Sequence, residues 1–263
     1  NSRPVSVRKN PRERKIRRFF TGIYDVYRFI LRFFKEVFVP PFEFKEIVRQ
    51  CYSIGWNSLP IITLTAFITG IVFTKQSRPS LAEFGATSWL PSLIAIAVIR
   101  ALAPLITALV IAGKVGSNMG AELGSMRVSE QIDAMEVSST NPFKFLVSTR
   151  VLSITLMLPI LMAYFGIVGL TGAYLNVHHN EQTSFTSFMQ DAFSQISFLD
   201  LFASVLKSTV YGFTIGIAGC YKGYHAAQGT VGVGRAANAA VVVSMFMIFI
   251  EEMIIVQVIN YFR

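Results

Sequence analysis

Residues 86–113 read ATSWLPSLIAIAVIRALAPLITALVIAG, twenty-eight positions with one charge, Arg100, and two prolines, Pro91 and Pro104. About 20 apolar residues are enough for a helix to cross a hydrocarbon core, so this run predicts a membrane span rather than a soluble core helix. Four more runs have the same character. Residues 54–74 and 151–177 carry no charge, 196–221 carry Asp200 and Lys207, and 236–262 carry Glu251 and Glu252. All five are expected to be helices, because lipid offers no hydrogen-bond partners and an isolated strand cannot satisfy its own backbone. A break of the first run into two short helices around Pro60 stays open. The whole composition agrees: of 263 residues 52% are hydrophobic and only 15% charged, where a soluble domain carries roughly a quarter.

Charge is concentrated at the front. Thirteen of the 24 Lys and Arg precede Tyr52. Residues 1–18 are basic and polar and are expected to form a flexible cytoplasmic arm. Over 19–38, Asp25, Arg28, Arg32, Lys35 and Glu36 recur every three or four positions among Phe, Tyr, Ile and Leu. That spacing predicts an amphipathic helix lying in the head-group region with its basic side toward anionic lipid. Pro40 and Pro41 end it, and the membrane domain is expected to occupy 43–263. No secretory signal is expected, since the early charge is dense and Arg28, Arg32 and Lys35 interrupt the apolar run that follows. The positive-inside rule sets the orientation. With the arm in the cytoplasm, Lys114, Arg127, Lys144, Lys222 and Arg235 fall inside. The outside holds Lys75, Arg78 and a loop at 178–195 without Lys or Arg. The fold class is therefore an all-α integral membrane protein: an interfacial helix, then five spans ending outside.

The connection between the second and third spans, Ala112–Glu136, is rich in glycine and predicts tight turns or close helix approach. Ser129 is placed to N-cap a short helix, with Glu130, Asp133 and Glu136 on one face. Asn141-Pro142 starts the next helix, Asn as cap and Pro in the first turn. A rigid acidic helix below a membrane core would suit a docking partner. Gly212 and Gly216 on the fourth span, and Gly166, Gly169 and Gly172 on the third, predict close helix packing, with dimerisation through either stripe left open.

The run from Gly113 to Glu136 resembles the signature of the MlaE/YrbE permeases, G-[RK]-V-G-x-x-x-x-A-E-L-G-x-M-[RK]-V-x-E-Q-I-D-A-[LM]. Gly219 to Tyr224, Gly232 to Ala236 and Ala239 to Ser244 add a second match. The resemblance covers roughly 45–260. It implies a homodimeric permease at the centre of an ABC complex, with two cytoplasmic ATPase subunits below and MCE-domain proteins outside. The implied cargo is phospholipid or another hydrophobic molecule moved between inner and outer membranes, in the service of lipid asymmetry. The stretch with Glu122, Arg127, Glu130, Asp133 and Glu136 would be the coupling helix on the ATPase. A double-membraned bacterium is implied by the family alone.

Several absences shape the chemistry expected. Lys114 lies in no phosphate-binding loop of the form G-x-x-x-x-G-K-[ST], so ATP and Mg are expected in a partner and no cofactor in this chain. Cys51 and Cys220 lack metal-ligand spacing, and adjacent His178 and His179 chelate poorly. No nucleic-acid partner is expected. Charges inside spans are costly and mark function or pairing. Lys207 is expected to pair with Glu251 or Glu252, and these residues, with Arg100 and Lys114, are the candidates for a lipid-facing cavity in which Lys207 attracts a phosphate. The competing readings are a proton-coupled secondary transporter using Lys207 and Glu251, and a membrane-embedded lipid-modifying enzyme, for which no catalytic constellation is found.

Overall fold

A computed structural model describes the backbone of residues 11–40, 42–138 and 140–261. Its described residues form eight helices and no strand: α1 Pro11–Val37, α2 Phe44–Glu83, α3 Thr87–Val128, α4 Gln131–Val137, α5 Phe143–Glu181, α6 Phe185–Ser194, α7 Phe198–Tyr224 and α8 Thr230–Tyr261. The chain divides into two units after Phe42.

The first unit is α1. Residues 1–10 lie outside the described residues, so the expected arm is described only from Pro11, where it is already helical; Pro suits a first helical turn because its missing N–H has no partner there anyway. Phe20, Tyr24, Tyr27, Leu31 and Phe34 are exposed along one side. Their spacing of three and four places them in a single stripe.

In the second unit, α2, α3, α5, α7 and α8 are long and apolar enough to cross a membrane, matching the five runs. α2 is one helix of 40 residues that continues through Pro60, so the broken-pair alternative is not adopted. α3 corrects an expectation. It has 42 residues and runs unbroken past the apolar stretch to Val128, about 63 Å at 1.5 Å per residue, so the glycine-rich segment is helix rather than loop. The glycines serve close approach instead. A Cβ on Gly120 would lie 3.1 Å from the Ala237 Cα of α8, and one on Gly223 of α7 would lie 2.7 Å from Leu123 Cβ. Glycine is unfavourable within a helix in isolation, but backbone-to-backbone packing compensates here.

The other stripes also pack within the chain. A Cβ on Gly212 would stand 2.8 Å from the Ile154 carbonyl oxygen of α5, and one on Gly172 would stand 2.7 Å from the Phe67 carbonyl oxygen of α2. α5 thus lies between α2 and α7, while α7 also packs on α3 and α8. Half of the apolar window of α7 is buried against 17% of that of α8, which makes α7 the central helix and leaves α8 with a broad apolar face.

Two further boundaries differ from expectation. The outer loop at 178–195 is largely structured: α5 persists to Glu181, Gln182 turns with φ 50°, and α6 follows, its N-terminus capped by Ser184. Ser129 does not N-cap α4. Its hydroxyl donates to the Ser125 carbonyl at 2.8 Å, closing α3, and Glu130 takes the N-cap position with φ 58°. The Asn141 cap holds as expected, its side-chain oxygen accepting from Lys144 N–H at 3.2 Å.

Candidate functional site

The charges inside the spans gather on one face of α7. Asp200, Ser204, Lys207, Tyr211 and Thr214 follow one another at steps of four and three, so they stack as a polar stripe on an otherwise apolar helix. Asp200 is fixed first. It closes a capping box with Ser197, whose N–H and hydroxyl donate to its Oδ2 at 3.1 and 3.0 Å. Its other oxygen meets Arg100 Nη2 of α3 at 2.9 Å. Arg100 stands on a π-helical turn, Val98–Leu102, whose widened ladder leaves carbonyls for side chains: Ser204 donates to the Ile99 oxygen at 2.8 Å, and Lys207 Nζ reaches the Arg100 oxygen at 3.4 Å.

Lys207 makes its main contact with Glu252 of α8, Nζ to Oε1 at 2.6 Å, with only 3% of the lysine side chain exposed. Tyr211 donates its hydroxyl to the second oxygen of Glu252. Both oxygens of Glu252, a carboxylate 17% exposed, are therefore engaged. Glu251 goes elsewhere: Thr214 donates to its Oε1 at 2.5 Å, and its Oε2 is buried without a hydrogen-bond partner among the described residues. Of the two pairings the sequence allowed, the structure takes Lys207–Glu252. A groove of about 300 Å³ opens beside Asp200 between α7 and α8, lined by Leu199, Phe202, Leu206 and Val258.

Lys114 is not part of this cluster. It lies fourteen residues further along α3, about 21 Å at the helical rise, and its ammonium donates to the Asn57 carbonyl of α2. Glu122 likewise departs from the segment it was grouped with, because its Oε1 pairs with Arg150 of α5 at 2.7 Å. The remaining acidic-helix residues do meet. Arg127 Nη1 is 2.5 Å from Asp133 Oδ1, and the buried Ile132 fastens α4 beneath the end of α3. Glu130, Asp133 and Glu136 are exposed. Arg127, Asp133 and Glu136 line a shallow cavity of about 470 Å³ with Tyr224 and His225.

Asp200 was seen only as a charge, and Ser204, Tyr211 and Thr214 not at all; the stripe at 200, 204, 207, 211 and 214 was the available signal. Arg150, just before an apolar run, went unremarked, yet it is only 3% exposed.

A family model described as Permease MlaE matches residues 47–258. The chain belongs to the MlaE permease family. A probable ABC transporter permease protein of Rickettsia prowazekii is 34% identical over 236 residues, covering 90% of each chain. Another of Synechocystis sp. is 38% identical over 211 residues, covering 79% of each. The protein TRIGALACTOSYLDIACYLGLYCEROL 1, chloroplastic, of Arabidopsis thaliana is 32% identical over 211 residues, 80% of this chain and 60% of that one. As an MlaE permease this is a multi-pass membrane protein and a transporter component. The matched residues include the α7 stripe with its partners and α4, and they leave out α1.

Proposed function

We propose that this chain is the permease subunit of an ABC transporter that moves phospholipid between the inner and outer membranes of a bacterium, driven by a separate ATPase. The observation that carries the ATPase half is α4, a short helix fastened by Ile132 and the Arg127–Asp133 pair at the end of a spanning helix, with Glu130, Asp133 and Glu136 facing outward. A rigid acidic helix of this kind can receive a partner's cationic groove and pass its movement into α3. ATP and Mg belong to that partner, and this chain needs no cofactor. The lipid half is supported by the acyl-chain-sized apolar groove beside Asp200 and by the Arabidopsis relative, which is named after a diacylglycerol lipid.

In this proposal two copies form the working dimer, an MCE-domain protein meets the far side, and the inner membrane holds the five spans with the N-terminus in the cytoplasm. α1 then lies in the interface with its aromatic stripe in the acyl boundary and Arg28, Arg32 and Lys35 near anionic head groups. Lys207 contacts cargo phosphate only after Glu252 releases it.

The test is Glu130→Gln with Glu136→Gln, which keeps the Arg127–Asp133 pair that fastens α4, in the complex purified with its ATPase. ATP hydrolysis and transfer of a fluorescent phospholipid between liposomes should both fall while the permease keeps its thermal stability. Unchanged coupling would refute the docking role, and lipid transfer that persists without ATP but collapses with the proton gradient would replace this proposal with proton-driven transport.

A further inference from the structure

Far from the α7 stripe, a cavity of about 570 Å³ opens between α2, α3 and α5. Its position along the membrane follows from the sequence. The apolar runs of α2, α5 and α8 begin at residues 54, 151 and 236, and that of α3 ends at 113. The cavity is lined by Ser53 to Ser58 of α2, Lys114 to Glu122 of α3, Arg150 of α5 and Ala237 of α8. Four apolar runs thus terminate at its level, which is where lipid head groups meet the acyl region.

Its lining is cationic and has donors to spare. Lys114 and Arg150 against Glu122 leave one net positive charge. Lys114 gives one of its three protons to the Asn57 carbonyl, which leaves two. Arg150 spends Nη1 on the Leu146 carbonyl at 2.9 Å and Nη2 on Glu122 at 2.7 Å, while its Nε is buried and has no partner among the described residues. Ser58 Oγ, in the same wall, is fully buried and equally without one. Both cations are set by π-helical turns, Ala112–Gly116 carrying Lys114 and Phe143–Ser148 preceding Arg150. Such turns recur where a helix presents a functional group. The Arg150 Nε and Ser58 Oγ are sealed from the cavity; the donor that a ligand's acceptor oxygens can reach is the exposed ammonium of Lys114, with the Arg150 charge behind it.

We infer that this cavity binds the phosphate of a phospholipid head group from the adjoining leaflet. A phosphodiester brings acceptor oxygens and one negative charge, which matches the spare donors and the local charge. Its two chains then lie along the apolar runs, which an inorganic phosphate cannot use. The inference needs only the spanning arrangement, so it stands apart from the transport proposal and from any ATPase.

The full chain in phosphatidylcholine nanodiscs, doped with phosphatidylglycerol carrying a photoreactive diazirine on its head group, provides the test. After irradiation, peptide mass spectrometry should find adducts within 50–58 and 114–122. Lys114 is exposed, so its replacement leaves the fold intact; Lys114→Gln should lower the adducts about tenfold, as expected for one charge-assisted contact, and Lys114→Arg should restore them. Adducts spread evenly over the five spans, or equal in Lys114→Gln, would overturn the site. So would equal labelling by a diacylglycerol bearing the same diazirine, since that lipid lacks the phosphate. Protection of Lys114 from acetylation by inorganic phosphate in detergent, without any lipid adduct, would assign the cavity to a soluble anion and overturn the head-group reading.

Discussion

The α7 stripe and the α2–α3–α5 cavity are built from the same residue types and behave in opposite ways. In the stripe Lys207 is closed in by Glu252, by Tyr211 beyond it and by the Arg100 carbonyl. At the cavity Lys114 is exposed and retains free protons. Depth explains the difference. Mid-span, an ammonium without a counter-charge is costly and Lys207 is paired; at the head-group level water and lipid oxygens share the load and Lys114 can stay open. A lysine in this protein is thus structural or available according to its height in the membrane.

Three substitutions can break or sharpen that contrast, each read by thermal unfolding in nanodiscs. Lys207→Ala should have the largest effect, a loss of about 3–5 kcal/mol, because Glu252 would remain buried without its cation. Replacing both, Lys207→Met with Glu252→Leu, should recover most of it, and a double variant no better than the single would disprove the pairing account. Arg150→Ala should cost less, roughly 1–3 kcal/mol, since its partner Glu122 is 45% exposed and can turn to water. A cost equal to that of Lys207→Ala would mean that the cavity is as closed as the stripe. Lys114→Gln should change stability by no more than about 0.5 kcal/mol, as an exposed substitution does, and a larger loss would make Lys114 a structural residue.

The same contrast separates what could be read in the sequence from what could not. The five spans were legible because each is a run of about twenty or more apolar residues, a signal that needs no knowledge of neighbours. The extent of α3 was not, since Gly113, Gly116, Gly120 and Gly124 look like turn residues until α7 and α8 are brought against them. The pairing of Lys207 with a glutamate was legible from cost alone. Which glutamate was not: adjacent residues on a helix point about 100° apart, so the choice of Glu252 over Glu251 depends on how α8 is rotated. The Arg100–Asp200 partners stand 100 residues apart, and their pairing needs the helix arrangement. Ser129 failed as a cap because α3 overran the position where a new helix was expected to begin, and Glu130 had to make the turn in the left-handed region instead.

The Lys207–Glu252 contact also bears on how the protein is made. The partners are 45 residues apart, which at the usual rate of translation leaves Lys207 without its carboxylate for about 2–9 s after it leaves the ribosome. α7 has the lowest mean hydropathy of the five spans, 1.4. It therefore enters the bilayer as the weakest insertion signal in the chain, carrying a lysine whose counter-ion has yet to be synthesised. Arg100 is already in place to neutralise Asp200, so the aspartate is matched on arrival and the lysine is not. A ribosome that stops before α8 leaves behind a product with an uncompensated charge in the membrane, a mark by which quality control can tell a truncated permease from a finished one.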